Sequence, residues 1–368
     1  MKISNLSNNI SGKEKAIIAM SGGVDSSVAA LLMCQADYEC VGATMQLFHN
    51  EDAGIPREKS CCSLDDVTDA KLISSKLGIL HYVFNFSDQF RESVMKRFAE
   101  CYQKGITPNP CIDCNRYLKF DAMLRRMHEM EFDYIVTGHY ARTEYDSDSG
   151  RYLLKKGLDE SKDQSYVLYS LTQEQLKHIR FPLGNYHKSE IRAIAEKNGF
   201  VNAHKKDSQD ICFVPDGDYA GFLERFTGMT FPAGDFVDLQ GNILGQHRGI
   251  IHYTIGQRKG LGISAKTPLY VCEIRTDSNQ VVIGQNQDLF SDSLIAGDVN
   301  LISVKSLKNP IRVCAKIRYR HPEQPATAWQ DEEGFLHVTF DQPQRAITRG
   351  QAVVLYQSDT VVGGGTIL

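Results

Sequence analysis

The chain has 368 residues, 42% of them hydrophobic, and a formal net charge of −4. That length exceeds one typical domain, the composition is that of a globular protein, and no apolar run is long enough to cross a bilayer. The charge argues against a uniformly basic nucleic-acid binder, but it conceals local groups: Lys155/Lys156, Lys205/Lys206, Arg258/Lys259 and Lys316/Arg318/Arg320. Each fits either a phosphate backbone or an ordinary solvated face.

Residues 1–12 are polar and rich in Asn and Ser, without the apolar core of a signal peptide. They read as a frayed tail on a cytoplasmic protein with no membrane partner. The ten cysteines, in a chain of this length, argue against a disulfide framework. Cys34, Cys40, Cys272 and Cys314 sit among apolar residues and read as buried thiols.

From 13 to 140, short apolar strands (16–20, 41–45, 81–86, 134–137) alternate with helical periods (26–35, 64–77, 90–104, 119–130). This alternation predicts an α/β fold, a parallel sheet with helices on both faces. The first strand runs into Ala19-Met20-Ser21-Gly22-Gly23-Val24-Asp25-Ser26, followed by a helix with Val28, Leu31 and Leu32 at helical spacing. Two glycines allow a tight turn and close ligand approach, and a helix start offers unpaired N–H groups at the positive end of its dipole. Strand, Gly/Ser turn and helix together predict a phosphate site. No Lys follows the glycines as in a Walker loop, and the dinucleotide fingerprint is absent. The turn instead resembles the loop of enzymes that split ATP into AMP and pyrophosphate. Ligands of such sheets bind at the carboxyl ends of the strands, which puts Met45 and Gly138-His139 near the turn.

Thr107-Pro-Asn-Pro-Cys-Ile-Asp-Cys-Asn115 reads as a loop stiffened by Pro108 and Pro110, a rigid mount for a reactive thiol. Cys111 and Cys114 have Cys-x-x-Cys spacing, open to a metal half-site, a redox pair or a nucleophile with a neighbour. A second Cys-x-x-Cys is absent and Cys61-Cys62 are adjacent, which disfavours a four-cysteine zinc site. A third thiol, Cys212, follows Lys205 and Lys206, which favour its thiolate, and Asp207 and Asp210, which oppose it.

Residues 141–215 read as an appendage of the first domain, with helices at 173–178 and 189–198 around a break at Phe181-Pro-Leu-Gly184. Glycine becomes frequent beyond Pro215, and a small, partly β central domain is expected over 216–285. Short strands at 311–319, 327–329, 335–340, 352–356 and 361–367 predict a C-terminal antiparallel β-barrel over 286–368.

Taken in order, the glycine turn, the 107–115 segment, Val136-Thr-Gly-His-Tyr140, the 157–166 segment, the segment around Cys212 and Tyr253-Thr-Ile-Gly-Gln-Arg-Lys-Gly-Leu261 resemble the tRNA-specific 2-thiouridylase family. The resemblance spans about 14–367. It implies an adenine-nucleotide-hydrolase-like catalytic domain over 1–215 that uses ATP and Mg2+, with 19–26, Met45 and Gly138 on the nucleotide. It implies that the C2 oxygen of the wobble uridine of tRNA is adenylated and replaced by sulfur. Cys212 would carry that sulfur as a persulfide from a sulfur-relay protein or cysteine desulfurase, and Cys114 would be the nucleophile that resolves it, leaving a Cys114–Cys212 disulfide. Asn109, Pro110 and Cys111 would meet the target base; His139, Lys162, Asp163, Gln164, Arg318, Tyr319 and Gln351 would contact tRNA.

One departure stands out: some relatives place an Asp where this chain has Cys111. Its role in activating the catalytic thiol is then missing or passes to a group such as Asp113. Cys111, Cys114 and Cys212 also offer three thiolates to an iron–sulfur cluster, a reading not favoured because a fourth ligand is not evident. Two alternatives remain: an amidotransferase-type ATP pyrophosphatase, which needs no paired cysteines, and a tRNA-binding module without chemistry, which needs no phosphate loop.

Overall fold

A computed structural model describes residues 12–48, 64–205 and 211–368. Cys61, Cys62, Lys206, Asp207, Asp210 and all but the last residue of the expected polar tail lie outside the described residues.

Five parallel strands form the first sheet in the order β3-β2-β1-β4-β7. They are β1 (Lys15–Ala19), β2 (Glu39–Gln46), β3 (Leu80–Asn85), β4 (Tyr134–Val136) and β7 (Ile179–Arg180). Strand β1 shows why the sheet is covered twice. Ala16 and Ile18 point into one apolar cluster, with helix α1 (Val24–Gln35), while Ile17 points into another on the opposite face. The order reverses between β1 and β4, so their carboxyl ends open the crevice where such sheets bind ligands. The first four strands and the first two helices match the apolar periodicity. The two-residue β7 is too short to leave a period.

Two helices differ from their expected form. The third runs unbroken over 87–103 with a π-helical stretch at Arg91–Lys96. The fourth begins at Pro110, nine positions before the expected 119, and continues through a π-helical stretch (Cys114–Ala122) to Glu129. Of the expected stiff loop 107–115, the part from Pro110 on is therefore helical. Asn109 is its N-cap, its side-chain oxygen accepting from Cys111 N–H at 3.1 Å. Pro110 occupies the first helical position, where its fixed φ suits the helix and its missing N–H costs nothing.

In the C-terminal unit, β12 (Phe290–Leu301), β15 (Leu336–Arg345), β14 (Gln324–Gln330), β13 (Ile311–Lys316), β16 (Ala352–Gln357) and β17 (Thr360–Ile367) are hydrogen-bonded in that order. Pairing of β12 with β17 closes them into the expected antiparallel barrel. Within 141–215, expected as an appendage of the first domain, lies the hairpin β5–β6 (Ala141–Asp146, Arg151–Lys156). It joins the barrel sheet through Thr360 and Lys155. One apolar cluster is accordingly shared by Ile112, Phe120 and Tyr166 with Ile302, Val354 and Tyr356. A smaller sheet, β10-β11-β8-β9 (Tyr270–Arg275, Gln280–Gly284, Gly234–Val237, Ile243–His247), lies between these two units in sequence.

Candidate active site

The turn after β1 has the geometry that two adjacent glycines permit. Gly22 takes φ +73°, and a Cβ there would come within 2.5 Å of the Asp66 carbonyl oxygen. Gly23 caps α1 without a side-chain bond, so the N-cap leaves the first N–H groups of the helix open to a ligand. The serines brace the turn from inside. Ser26 Oγ accepts from Ser21 N–H at 3.2 Å and donates to Gly23 O at 3.0 Å, as does Ser27 Oγ at 3.0 Å. Met20 N–H bonds Ala43 O at 2.8 Å, which ties the turn to β2. Met45 lies two residues further along β2, at its carboxyl end. Gly138, just past β4, is so close to the start of α1 that a Cβ would sit 2.9 Å from Ser26 N. The 19–26 turn and Gly138 thus meet at the switch point of the sheet, with Met45 at the end of the adjoining strand.

Residues that the motifs did not single out hold this turn in place. Asn202 Nδ2 donates to Gly22 O at 3.0 Å and to Ser27 Oγ at 2.9 Å. Lys205 Nζ bonds Asp66 at 2.6 Å and Asp69 at 2.7 Å, and reaches Gly22 O at 3.3 Å. Burial opposes the Lys205 charge, but the hydrogen bonds from Asp66 and Asp69 outweigh it and raise its pKa. Lys205 is thus committed to these carboxylates, whereas the sequence offered it as a cation for Cys212. The Asp25 carboxylate is held by Lys188 Nζ and by Tyr140 OH, the latter at 2.8 Å. Tyr140 ends the Val136–Tyr140 motif; Lys188 and Asn202 lie in segments whose helical caps and turns look ordinary in sequence.

Cys114 and Cys212 stand as thiols and pack in the same apolar cluster, Cys114 buried and Cys212 at its margin. That cluster also takes in Leu47, Phe48 and Phe86, which follow the carboxyl ends of β2 and β3. Cys212 is anchored by its neighbour. Phe213 is fully buried, with ring centroids 5.7 Å from Phe90, 5.4 Å from Phe98 and 5.0 Å from Phe222. Burial pushes the Cys114 thiol up to about 11, only partly opposed by Lys119. Cys111, one turn earlier, is exposed. Burial also pushes Asp113 up to about 6, against the pull of Arg97 at 3.6 Å. Among the described residues, no group of three or more His, Cys, Asp or Glu side chains is arranged to hold a metal ion.

The residues expected to contact tRNA also make contacts within the protein. Tyr319 is partly exposed, and its OH donates to Asp163 O at 3.2 Å. Gln351 Nε2 donates to Thr107 O at 2.8 Å, joining the barrel to the segment that carries Asn109 and Pro110. Beside Lys162, the Asp163 and Gln164 side chains also work internally. Asp163 accepts from Gly157 N–H at 3.0 Å, and Gln164 Oε1 from Tyr140 N–H at 3.0 Å. His139 is buried between Phe120 and Phe181 and bonded to Thr137 at 2.8 Å; burial holds its imidazole far below its usual range, hence neutral. Arg318 donates to Ala346 O. Of the local basic groups, Lys155 is paired with Glu144 and Lys156 with Glu323. No helix among the described residues is long and apolar enough to cross a membrane.

Comparison with known proteins covers nearly the whole chain. Residues 14–216 match the model described as tRNA methyl transferase HUP domain, 220–285 the tRNA methyl transferase PRC-barrel domain, and 291–367 the aminomethyltransferase beta-barrel domain. A tRNA-specific 2-thiouridylase MnmA of Acetivibrio thermocellus is 52% identical over 356 residues, covering 96% of this chain and 99% of that one. A protein of the same name from Clostridioides difficile is 49% identical over 354 residues, covering 96% and 98%.

Proposed function

This chain belongs to the tRNA-specific 2-thiouridylase family, and we propose that it replaces the C2 oxygen of the wobble uridine of tRNA with sulfur at the expense of ATP. The observation that carries this reading is the packing of Cys114 and Cys212 in one apolar cluster against the sheet, a cluster that reaches Leu47, Phe48 and Phe86 just past the carboxyl ends of β2 and β3, the ends at which the phosphate turn also lies. A tRNA methylation reading finds no such support, since methyl transfer needs neither two thiols nor a phosphate turn.

ATP fits the residues present. The left-handed Gly22 and the N–H groups at the start of α1 suit its phosphates, and Met45 and Gly138 suit its adenosine. Mg2+ would be held by the ATP phosphates, the Asp25 carboxylate being engaged by Lys188 and Tyr140, and would offset their charge. The uridine O2 attacks the α-phosphate and pyrophosphate leaves, so that a poor leaving oxygen becomes AMP. Reaching C2 requires the base to leave its stack, with Asn109, Pro110 and Cys111 receiving it. A sulfur-relay protein or cysteine desulfurase loads Cys212 as a persulfide. The terminal sulfur attacks C2 and AMP departs with the oxygen. The Cys114 thiolate then attacks Cys212 Sγ, leaving sulfur on the base and a Cys114–Cys212 disulfide that a thiol reductant must reopen. His139, Lys162, Asp163, Gln164, Arg318, Tyr319 and Gln351 are assigned to tRNA positioning. Catalysis is assigned to 1–215, with 216–285 and 286–368 as central and barrel domains of a cytoplasmic enzyme.

Mass spectrometry of tRNA incubated with the protein, ATP, Mg2+ and a persulfide source tests this. One oxygen exchanged for sulfur in the anticodon loop is expected, and it is lost in Cys114→Ser and Cys212→Ser. Unmodified tRNA while ATP is turned over to AMP would overturn the reading, as would full thiolation by either serine variant.

A further inference from the structure

The phosphate turn carries a carboxylate where a polyanion is to bind. Asp25 is the second residue of α1. There it suits the helix dipole, yet it has the same sign as the phosphates of ATP. It does not stand alone. Lys188 Nζ donates to Asp25 Oδ1 and Oδ2, both at 2.7 Å, across 163 positions of sequence. Lys188 is only 8% exposed, and a buried ammonium is tolerated only with a partner charge. It is also aimed from more than one side. Its backbone N–H donates to Asp159 Oδ2 at 2.9 Å at the start of the Lys188–Lys197 helix, and its ammonium lies 5.8 Å from the centre of the Tyr140 ring. Lys205 makes a comparable arrangement beside Gly22, but with two carboxylates, Asp66 and Asp69. Asp25 is thus the acid of the turn itself, and Lys188 is the cation that meets both of its oxygens.

Resting on the ATP-dependent reading above, we propose that Lys188 is a positioning residue for ATP: it neutralises Asp25 and so keeps the start of α1 receptive to a polyphosphate. The glycines, serines and helix N–H groups form the cradle, and Lys188 sets its charge. Without the ammonium, the Asp25 carboxylate would confront the phosphates uncompensated, in a partly buried setting where salt screens poorly.

Isothermal titration of the full chain with Mg·ATP, without tRNA, tests this. Lys188→Met is expected to weaken ATP binding at least tenfold. Lys188→Arg, which keeps the charge, stays within about threefold of the parent. The double variant Asp25→Asn/Lys188→Met removes both charges and is expected to recover binding to within about threefold, which a merely structural role of Lys188 would not produce. Parental affinity in Lys188→Met overturns the proposal, as does a folded double variant that binds no better than Lys188→Met. If Lys188→Met does not fold, the double variant decides by itself: near-parental binding supports the proposal and a tenfold loss overturns it. A parent chain that binds no ATP would overturn the ATP reading, whereas failure confined to the variants would overturn only the role of Lys188.

Discussion

Asn202 and Gly22 are 180 positions apart in sequence, yet the Asn202 side-chain amide donates to the Gly22 carbonyl at 3.0 Å. The same nitrogen reaches Ser27 Oγ at 2.9 Å, bridging the glycine turn and the first turn of α1. The amide oxygen is buried and finds no hydrogen-bond partner among the described residues. Asn202→Ala therefore removes two donated bonds together with an unpaired acceptor, and the net loss of stability stays near ~1 kcal/mol. The turn, however, loses a brace. The KM for ATP is expected to rise about tenfold with kcat for thiolation changed less than threefold. Steady-state kinetics on both substrates checks this; an unchanged KM would mean that the Lys205 contact to Gly22 suffices.

Gly138 and Gly22 make a graded pair. A Cβ on Gly138 would lie 2.9 Å from Asp25 C and from Ser26 N, while one on Gly22 would lie 2.5 Å from the Asp66 carbonyl oxygen at φ +73°. In both cases the opposing atoms are backbone and cannot swing aside. Gly138→Ala pushes on the start of α1 and is expected to raise the KM for ATP at least tenfold in a folded protein. Gly22→Ala adds a left-handed backbone penalty of about 1 kcal/mol or more and is expected to lower the melting temperature as well. Parental KM values in both variants would contradict the placement of ATP at this turn.

How legible this site was depends on what kind of force places each residue. The glycine turn, Met45 and Gly138 follow from periodicity, because a parallel sheet puts its loops on one edge. The start of the cysteine helix was misplaced because prolines read as a stiff loop, while the Asn109 cap and Pro110 at the first helical position start a helix instead. Hairpin β5–β6 was hidden because Glu144, Tyr145 and Tyr152 do not alternate cleanly when only one side of the hairpin joins the barrel. Lys188 and Asn202 act through contacts made across more than 160 positions, and such pairings leave no local pattern.

In the proposed mechanism the Cys114 thiol sets the pH dependence of the last chemical step. Its thiol is pushed up to about 11, chiefly by burial. At neutral pH the thiolate is scarce, so with Cys212 preloaded the single-turnover rate of thiolation is expected to climb about tenfold per pH unit above neutrality and to level off only near the thiol's own pKa. Stability runs the other way. A raised thiol pKa stabilises the fold below the unfolded value near 8.5–9, and that contribution is lost as pH rises through about 11. Stopped-flow quenching over this range tests the first part. A rate independent of pH would show that bound tRNA lowers the thiol's pKa or that another group attacks.

For Asp113 the window is acidic. Burial raises its carboxyl to about 6, with Arg97 at 3.6 Å compensating in part. The protonated form is thus the one the fold prefers: its stabilisation is complete below about 3.8 and is lost as pH rises through about 6. Asp113→Asn is expected to be more stable than the parent at pH 7.5, by up to ~2 kcal/mol after allowance for residual solvent contact, and to melt together with it at pH 4. Thermal melts at the two pH values decide it. A variant less stable than the parent at pH 7.5 would show that the Arg97 pair outweighs burial.

Gly350 tests whether the barrel positions the cysteine helix. Thr107 N–H donates to Arg349 O at 3.0 Å, and Gln351 Nε2 donates to Thr107 O at 2.8 Å, so one barrel turn grips the residues that lead into the Asn109 cap. Gly350 sits between these contacts at φ +87°, and a Cβ there would lie 2.2 Å from Ile106 Cγ2 and 3.1 Å from Thr107 O. Alanine must displace the 106–109 segment or distort the turn, at a cost of about 1–3 kcal/mol. Because the phosphate turn lies on another part of the sheet edge, Gly350→Ala is expected to leave the KM for ATP within twofold while thiolation of tRNA falls at least tenfold. Equal loss in ATP affinity would indicate general unfolding. Unimpaired thiolation would show that the cysteine helix keeps its position without the barrel turn.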